Sequence, residues 1–167
     1  MTRLSLFLLC SSVLLPLTSV ACEETSCTEI GVRQGLFVDV NAGELVNEPY
    51  ILEIDASGDS NAEDFKSTYA CVLPTEANGT SDCTSLDNET SYRTALISIQ
   101  KKNVHIDLEF PDDFPSQIDV KLFSIMKDLI GSTVVENIEY QVQQPNGAEC
   151  DGNDQLAANL TATLESP

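Results

Sequence analysis

Histidine is almost absent from this chain, and basic residues are scarce. Among 167 residues there is one histidine, His105, and eight lysines and arginines stand against 27 aspartates and glutamates, a formal net charge of −19 at pH 7. So acidic a chain repels a phosphate backbone and a bare anionic lipid surface, which excludes nucleic acid and a purely electrostatic membrane partner. A Ser-His-Asp site would need His105 as its base, yet no Gly-x-Ser-x-Gly elbow occurs to present a nucleophile. Neither His-Glu-x-x-His nor Cys-x-x-Cys is present to hook a metal. Carboxylates are abundant, but in an acidic chain abundance singles out no glycosidase pair. A long helical period and an internal repeat are also missing, which leaves helical bundles and solenoids without support.

Long hydrophobic runs are confined to one place. The stretch from Leu4 to Leu17, led by Arg3 and broken by Ser11-Ser12, is too short to span a bilayer comfortably. With Ser19-Val20-Ala21 behind it, it has the layout of a secretory signal over residues 1–21: basic start, apolar middle, small-residue cleavage site. Cys22 follows directly. Ordinary cleavage would leave it as a free or disulfide-bonded first residue of a secreted protein. Alternatively the segment resembles a bacterial lipoprotein box, in which Cys22 takes a diacylglyceryl group. Cysteine parity favours the second reading. Once Cys10 leaves with the signal, Cys22, Cys27, Cys71, Cys83 and Cys150 remain, an odd set in an oxidising compartment, and lipidation of Cys22 leaves four for two disulfides. Residues 22–27 then form a lipidated cysteine and a short tether, and residues 28–167 a single domain.

What the domain does contain is period-two alternation, the mark of half-buried strands. It is cleanest in Leu36-x-Val38-x-Val40, Tyr50-x-Leu52-x-Ile54, Val104-x-Ile106-x-Leu108-x-Phe110 and Ile118-x-Val120-x-Leu122. Weaker alternations run over 65–73, 92–99, 134–142 and 156–164, the last placing Leu156, Ala158, Leu160, Ala162 and Leu164 on one face. Between them lie breaks rich in Gly, Pro, Asn, Asp and Ser at 56–61, 74–88, 111–115 and 145–153. The stretch 125–130 suits at most one helical turn, since Gly131 and the β-branched Thr133, Val134 and Val135 oppose its continuation. The expected fold is all-β: an antiparallel β-sandwich of immunoglobulin-like size with about eight strands, a small β-barrel being the alternative.

The cysteines would brace this sandwich. Cys71 ends one strand and Cys83 lies in the polar loop after it, and pairing them contributes roughly 3 kcal/mol in the chain-entropy account. Cys27 with Cys150 would close a far longer loop, worth on the order of 4 to 5 kcal/mol. A cofactor is not expected, with calcium as the one exception. Asp55, Ser57, Asp59, Asn61, Glu63 and Asp64 space oxygen ligands as calcium loops do, and Asp151-Gly-Asn153-Asp154 offers a smaller cluster, but neither matches an EF-hand. His105 shares the polar face of its strand with Asp107 and Glu109 and reads as a surface histidine. Sequons at Asn78, Asn88 and Asn159 would matter only in a eukaryotic secreted protein.

Three stretches carry a family likeness: Cys27-Thr28-Glu29-Ile30-Gly31, the strand opening at Gly35-Leu36, and Gln144-Pro145-Asn146-Gly147-Ala148-Glu149-Cys150. Together they resemble small cysteine-containing envelope lipoproteins of myxobacteria-like bacteria, a group without an established activity. The resemblance covers the two ends of the domain and hardly touches its middle. It implies further cysteines where this chain has Val32 and Asp154. Their joint absence suits a disulfide lost as a unit, which would place those two positions close together. The expectation is a non-enzymatic, lipid-anchored protein of the bacterial cell envelope, at the outer membrane, with a protein, peptide or glycan ligand. The competing expectation is a secreted hydrolase or calcium-dependent enzyme that uses acidic residues.

Overall fold

The computed structural model describes residues 33–58, 65–76, 79–87, 94–110, 114–151 and 155–167. Over these the chain is a β-sandwich, built because alternating apolar residues can hide one face of each strand only by facing a second sheet. In chain order the strands are β1 (Gly35–Asn41), β2 (Pro49–Ser57), β3 (Phe65–Val72), β4 (Ser81–Asp82), β5 (Thr84–Ser85), β6 (Thr94–Ile99), β7 (Asn103–Glu109), β8 (Gln117–Ser124), β9 (Leu129–Glu136), β10 (Gln141–Val142) and β11 (Leu156–Thr163), with one helical turn, α1 (Ala148–Asp151). Eight of these strands have six or more residues, as the alternation predicts. One sheet has the order β10-β11-β1-β7-β6-β4, the other β5-β3-β2-β8-β9, and neither closes into a barrel.

The core lies between the sheets. Leu36, Val38 and Val40 of β1 and Val104, Ile106 and Leu108 of β7 face Tyr50, Leu52 and Ile54 of β2 and Ile118, Val120 and Leu122 of β8, all essentially inaccessible to water. Each such aliphatic side chain contributes about 1.5–3 kcal/mol on burial.

Three details depart from the sequence expectation. The first is direction: β1 pairs antiparallel with β7 but parallel with β11, so the first and last long strands lie side by side. Side-chain alternation reports the face a residue occupies and not the direction of its neighbour. The second lies between 125 and 142. Instead of a helical turn followed by a strand over 134–142, residues 125–128 form a tight turn in which Lys127 takes a positive φ of 67°, and β9 starts at Leu129. Asn137, with φ of 57°, ends that strand, and pairing resumes only at β10. The third is that the breaks at 74–88 and 145–153 are not wholly irregular, since they hold β4, β5 and α1.

Both long sides of the sandwich are sewn together. On one side β4 pairs with β6 of the first sheet and β5 with β3 of the second, so the chain steps between sheets at Cys83. Cys83 is disulfide-bonded to Cys71 on the buried face of β3, and its amide donates to the Ile97 carbonyl at 2.8 Å. On the other side Ser132 of β9 and Glu165, just past β11, exchange backbone hydrogen bonds of 3.0 and 2.9 Å. Gly131 permits that approach: a Cβ there would sit 2.9 Å from Leu164 Cβ and 3.0 Å from the Glu165 carbonyl oxygen. Gly35 has a sharper requirement, since a Cβ would lie 2.1 Å from the Leu108 carbonyl oxygen of the neighbouring strand.

Candidate functional site

Three surface features could carry function. The first is on the outer face of β1 and β7. There the strand register sets Asp39 directly opposite His105, and Phe37 opposite Asp107. His105 Nδ1 lies 2.5 Å from Asp39 Oδ1, and Nε2 lies 2.8 Å from Asp107 Oδ1. The second contact is within ion-pair distance without the alignment of a hydrogen bond. Arg33 completes the row, donating from Nη1 to Asp107 Oδ2 at 2.8 Å, with Nε 3.6 Å from Glu109 and the guanidinium 5.4 Å from the centre of the Phe37 ring. Asp107 is therefore not the open polar-face residue that alternation predicts, since its side chain is only 7% exposed. Its charge is held by the Arg33 guanidinium hydrogen-bonded to Oδ2, as a buried carboxylate requires.

This row resembles a catalytic constellation only at first sight. Ser98 of β6 sits opposite His105, so a serine, a histidine and an aspartate lie across three strands. A relay needs one imidazole nitrogen free to take the proton of the serine hydroxyl. Here each ring nitrogen faces a carboxylate, and no described hydrogen bond joins Ser98 to His105. What the arrangement does chemically is clamp β1, β7 and Arg33 together.

The second feature is on the outer face of the other sheet. Asp55 of β2 lies between Lys66 of β3 and Asp119 of β8, and the two facing carboxylates would repel. Lys66 reaches Asp55 at 3.3 Å and Lys121 reaches Asp119 at 2.6 Å, which offsets the repulsion. The hydrogen bond and charge of Asp119 raise the Lys121 ammonium pKa above its ordinary value. Between them is a hollow of about 20 Å³ lined in part by Asp119, whose buried Oδ1 has no hydrogen-bond partner. That space suits a water.

The third feature is an open cleft of about 480 Å³ at the end of the sandwich where β1 leaves and β2 and β7 begin. Its floor is Leu45, Leu73 and Pro74, and its rim is Val46, Asn47, Thr75, Glu76 and Lys101. One wall is set by the turn between β6 and β7, whose Lys101 and Lys102 carbonyls accept from the amides of Leu45 and Ala42 at 3.0 and 2.8 Å. The Tyr50 hydroxyl fixes it from beneath by donating to the Val46 carbonyl at 2.8 Å. Burial, followed by the charge of Glu48, raises the Tyr50 pKa, with the bond to Val46 opposing. The other wall follows Cys71 and is held by the disulfide to Cys83. Four of the eight large exposed apolar side chains among the described residues stand at the same end: Val46 at 63%, Val72 at 55%, Ile125 at 54% and Met126 at 79%.

The residues singled out from sequence are divided by the structure. Cys71 and Cys83 are joined. Cys150 is disulfide-bonded, while Cys22, Cys27, Val32 and Asp154 lie outside the described residues, as do Asp59, Asn61 and Asp64 of the calcium candidates. Asp55, the described carboxylate of that loop, is paired with Lys66, and no cluster of three metal-ligating acidic, histidine or cysteine side chains occurs among the described residues. Asn159 lies exposed on β11; Asn78 and Asn88 are outside the described residues. Sequence reading missed the cleft. Two signals pointed to it: Leu45-Val46, an apolar pair in a turn-rich stretch, and Lys101-Lys102, adjacent basic residues in an acidic chain. Compared with known proteins, the chain matches no family model, no curated protein and no solved structure.

Proposed function

We propose that the protein is a lipid-anchored binding module of the bacterial cell envelope, tethered through Cys22 at the outer membrane and presenting the open end of its sandwich to a partner. One observation carries this reading. The concavity of ligand size lies at the Asn41 end of β1, about 20 Å along a seven-residue strand from Gly35, the end nearer to Cys22 in sequence. A lipid on Cys22 would hold the near end at the membrane and direct the cleft outward. The charged rows on the two outer faces support the same reading, because their ions are engaged with one another. Cys150 is disulfide-bonded while Cys71 and Cys83 are bonded to each other, which supports pairing of Cys150 with Cys27 once Cys22 carries lipid. The likeness of residues 27–31 and 144–150 to small envelope lipoproteins belongs to this proposal.

The test is fractionation of the producing cells, with intact-mass analysis of the N-terminus. Wild type is expected in the membrane fraction with an acylated Cys22, and Cys22→Ala in the soluble fraction. An unmodified Cys22, or a Cys22→Ala protein that stays with the membrane, overturns the anchor.

A further inference from the structure

We infer that the open cleft binds a short apolar peptide with both ends free, its carboxylate at Lys101, its ammonium at Glu76 and an apolar side chain on Leu45, Leu73 and Pro74. This deepens the binding-module reading and rests on it. The warrant is the charge pattern. In so acidic a chain a cation is expected to find a carboxylate, and Arg33, Lys66, Lys102 and Lys121 all do so within 4.0 Å. Among the described residues Lys101 and Lys127 do not, and both stand at the open end of the sandwich. Lys101 shares its cleft with Glu76, also without an ion-pair partner, and the two do not reach each other.

Opposite charges held apart above an apolar floor complement a molecule that carries both charges about an apolar centre. Asn47 and Thr75 on the same rim supply amide and hydroxyl groups for the peptide bonds between. An acyl chain with a lone carboxylate could meet Lys101, but its charge would also face Glu76. The volume falls in the range of small-ligand sites, about 300–1,000 Å³. The walls are already fixed by the Tyr50 hydroxyl, the Lys101 and Lys102 carbonyls and the Cys71–Cys83 bond, so little ordering accompanies binding.

Calorimetric titration of the purified protein tests this with trileucine, N-acetyl-trileucine, trileucine amide and palmitate as probes. Trileucine is expected to bind, and blocking either terminus to weaken it about fivefold, the scale of one exposed ion pair. Lys101→Ala should cause the same loss for trileucine and none for trileucine amide; Glu76→Gln should do so for trileucine and N-acetyl-trileucine respectively. Both side chains are exposed, and unchanged melting of the variants checks that the fold is kept. Palmitate binding more tightly than trileucine, no saturable binding of trileucine, or indifference to Lys101→Ala overturns the proposal. Failure of the anchor would appear instead in fractionation of Cys22→Ala, whose affinity for trileucine should match wild type.

Discussion

Where β7 hands over to β8, Phe110, Phe114 and Tyr140 fill the gap between the two sheets. At the opposite end Leu45 and Leu73 line the corresponding gap and leave it open. The filled end is a chain of ring contacts, Phe110 to Phe114 at 6.4 Å and Phe114 to Tyr140 at 4.8 Å, locked by the Tyr140 hydroxyl donating to the Pro115 carbonyl at 2.9 Å. The open end has aliphatic side chains in water and two unpaired lysines. Both ends must close the same core, so the aromatic plug shows what closure requires. The aliphatic rim departs from it at a place where a ligand could complete the surface.

Breaking the plug should have the largest effect. Phe110 is fully buried, and Phe110→Ala is expected to cost about 3–5 kcal/mol, read as a lowered midpoint in urea denaturation. A cost below about 1 kcal/mol would remove the distinction between the ends. Next comes alkaline titration. Burial pushes the Tyr140 phenol well above its ordinary 10.0, and Tyr50, nearer the open end, is raised as well. A raised phenol pKa means the folded state holds the proton more tightly than the unfolded chain. The stabilisation is complete below pH 10 and declines as pH rises above it, by at most about 1.4 kcal/mol per pH unit for each tyrosine, less with solvent screening. Tyr140 should be the last of the two to ionise by ultraviolet absorbance, and Tyr140→Phe should flatten the decline in stability. The smallest effect belongs to the open rim: Val46→Ala is expected to change stability by no more than about 0.5 kcal/mol in the same denaturation assay. A large loss there would make the rim part of the core.

Much of this molecule is legible in its sequence, and the limit of legibility has a physical cause. Leu36, Val38, Val40, Val104, Ile106, Leu108, Ile118, Val120 and Leu122 alternate with polar residues because each strand has one dry face, and all are buried as expected. The clamp around His105 is half legible. Alternation places His105 and Asp107 on the outer face, but the burial of Asp107 depends on Arg33 folding across it from another part of the chain. The start of β9 was hidden because its turn uses Lys127 at positive φ where glycine or asparagine would have marked it. The cleft is the least legible feature. It is assembled from turns near residues 45, 74 and 101, and only strand pairing across the sheets brings those together.

The parallel pairing of β1 with β11 bears on the order of folding. Leu36 and Ala158, register partners in that pair, are roughly 120 residues apart in the chain, and such long-range closure is slow. While the protein is being made, β7 can pair with β6 and β8 with β9 as local hairpins, and β2 with β3. The edge of β1 that β11 will occupy stays open until nearly the whole chain has emerged. A ribosome-bound intermediate therefore presents an unsatisfied strand edge, a surface open to wrong pairing until β11 arrives.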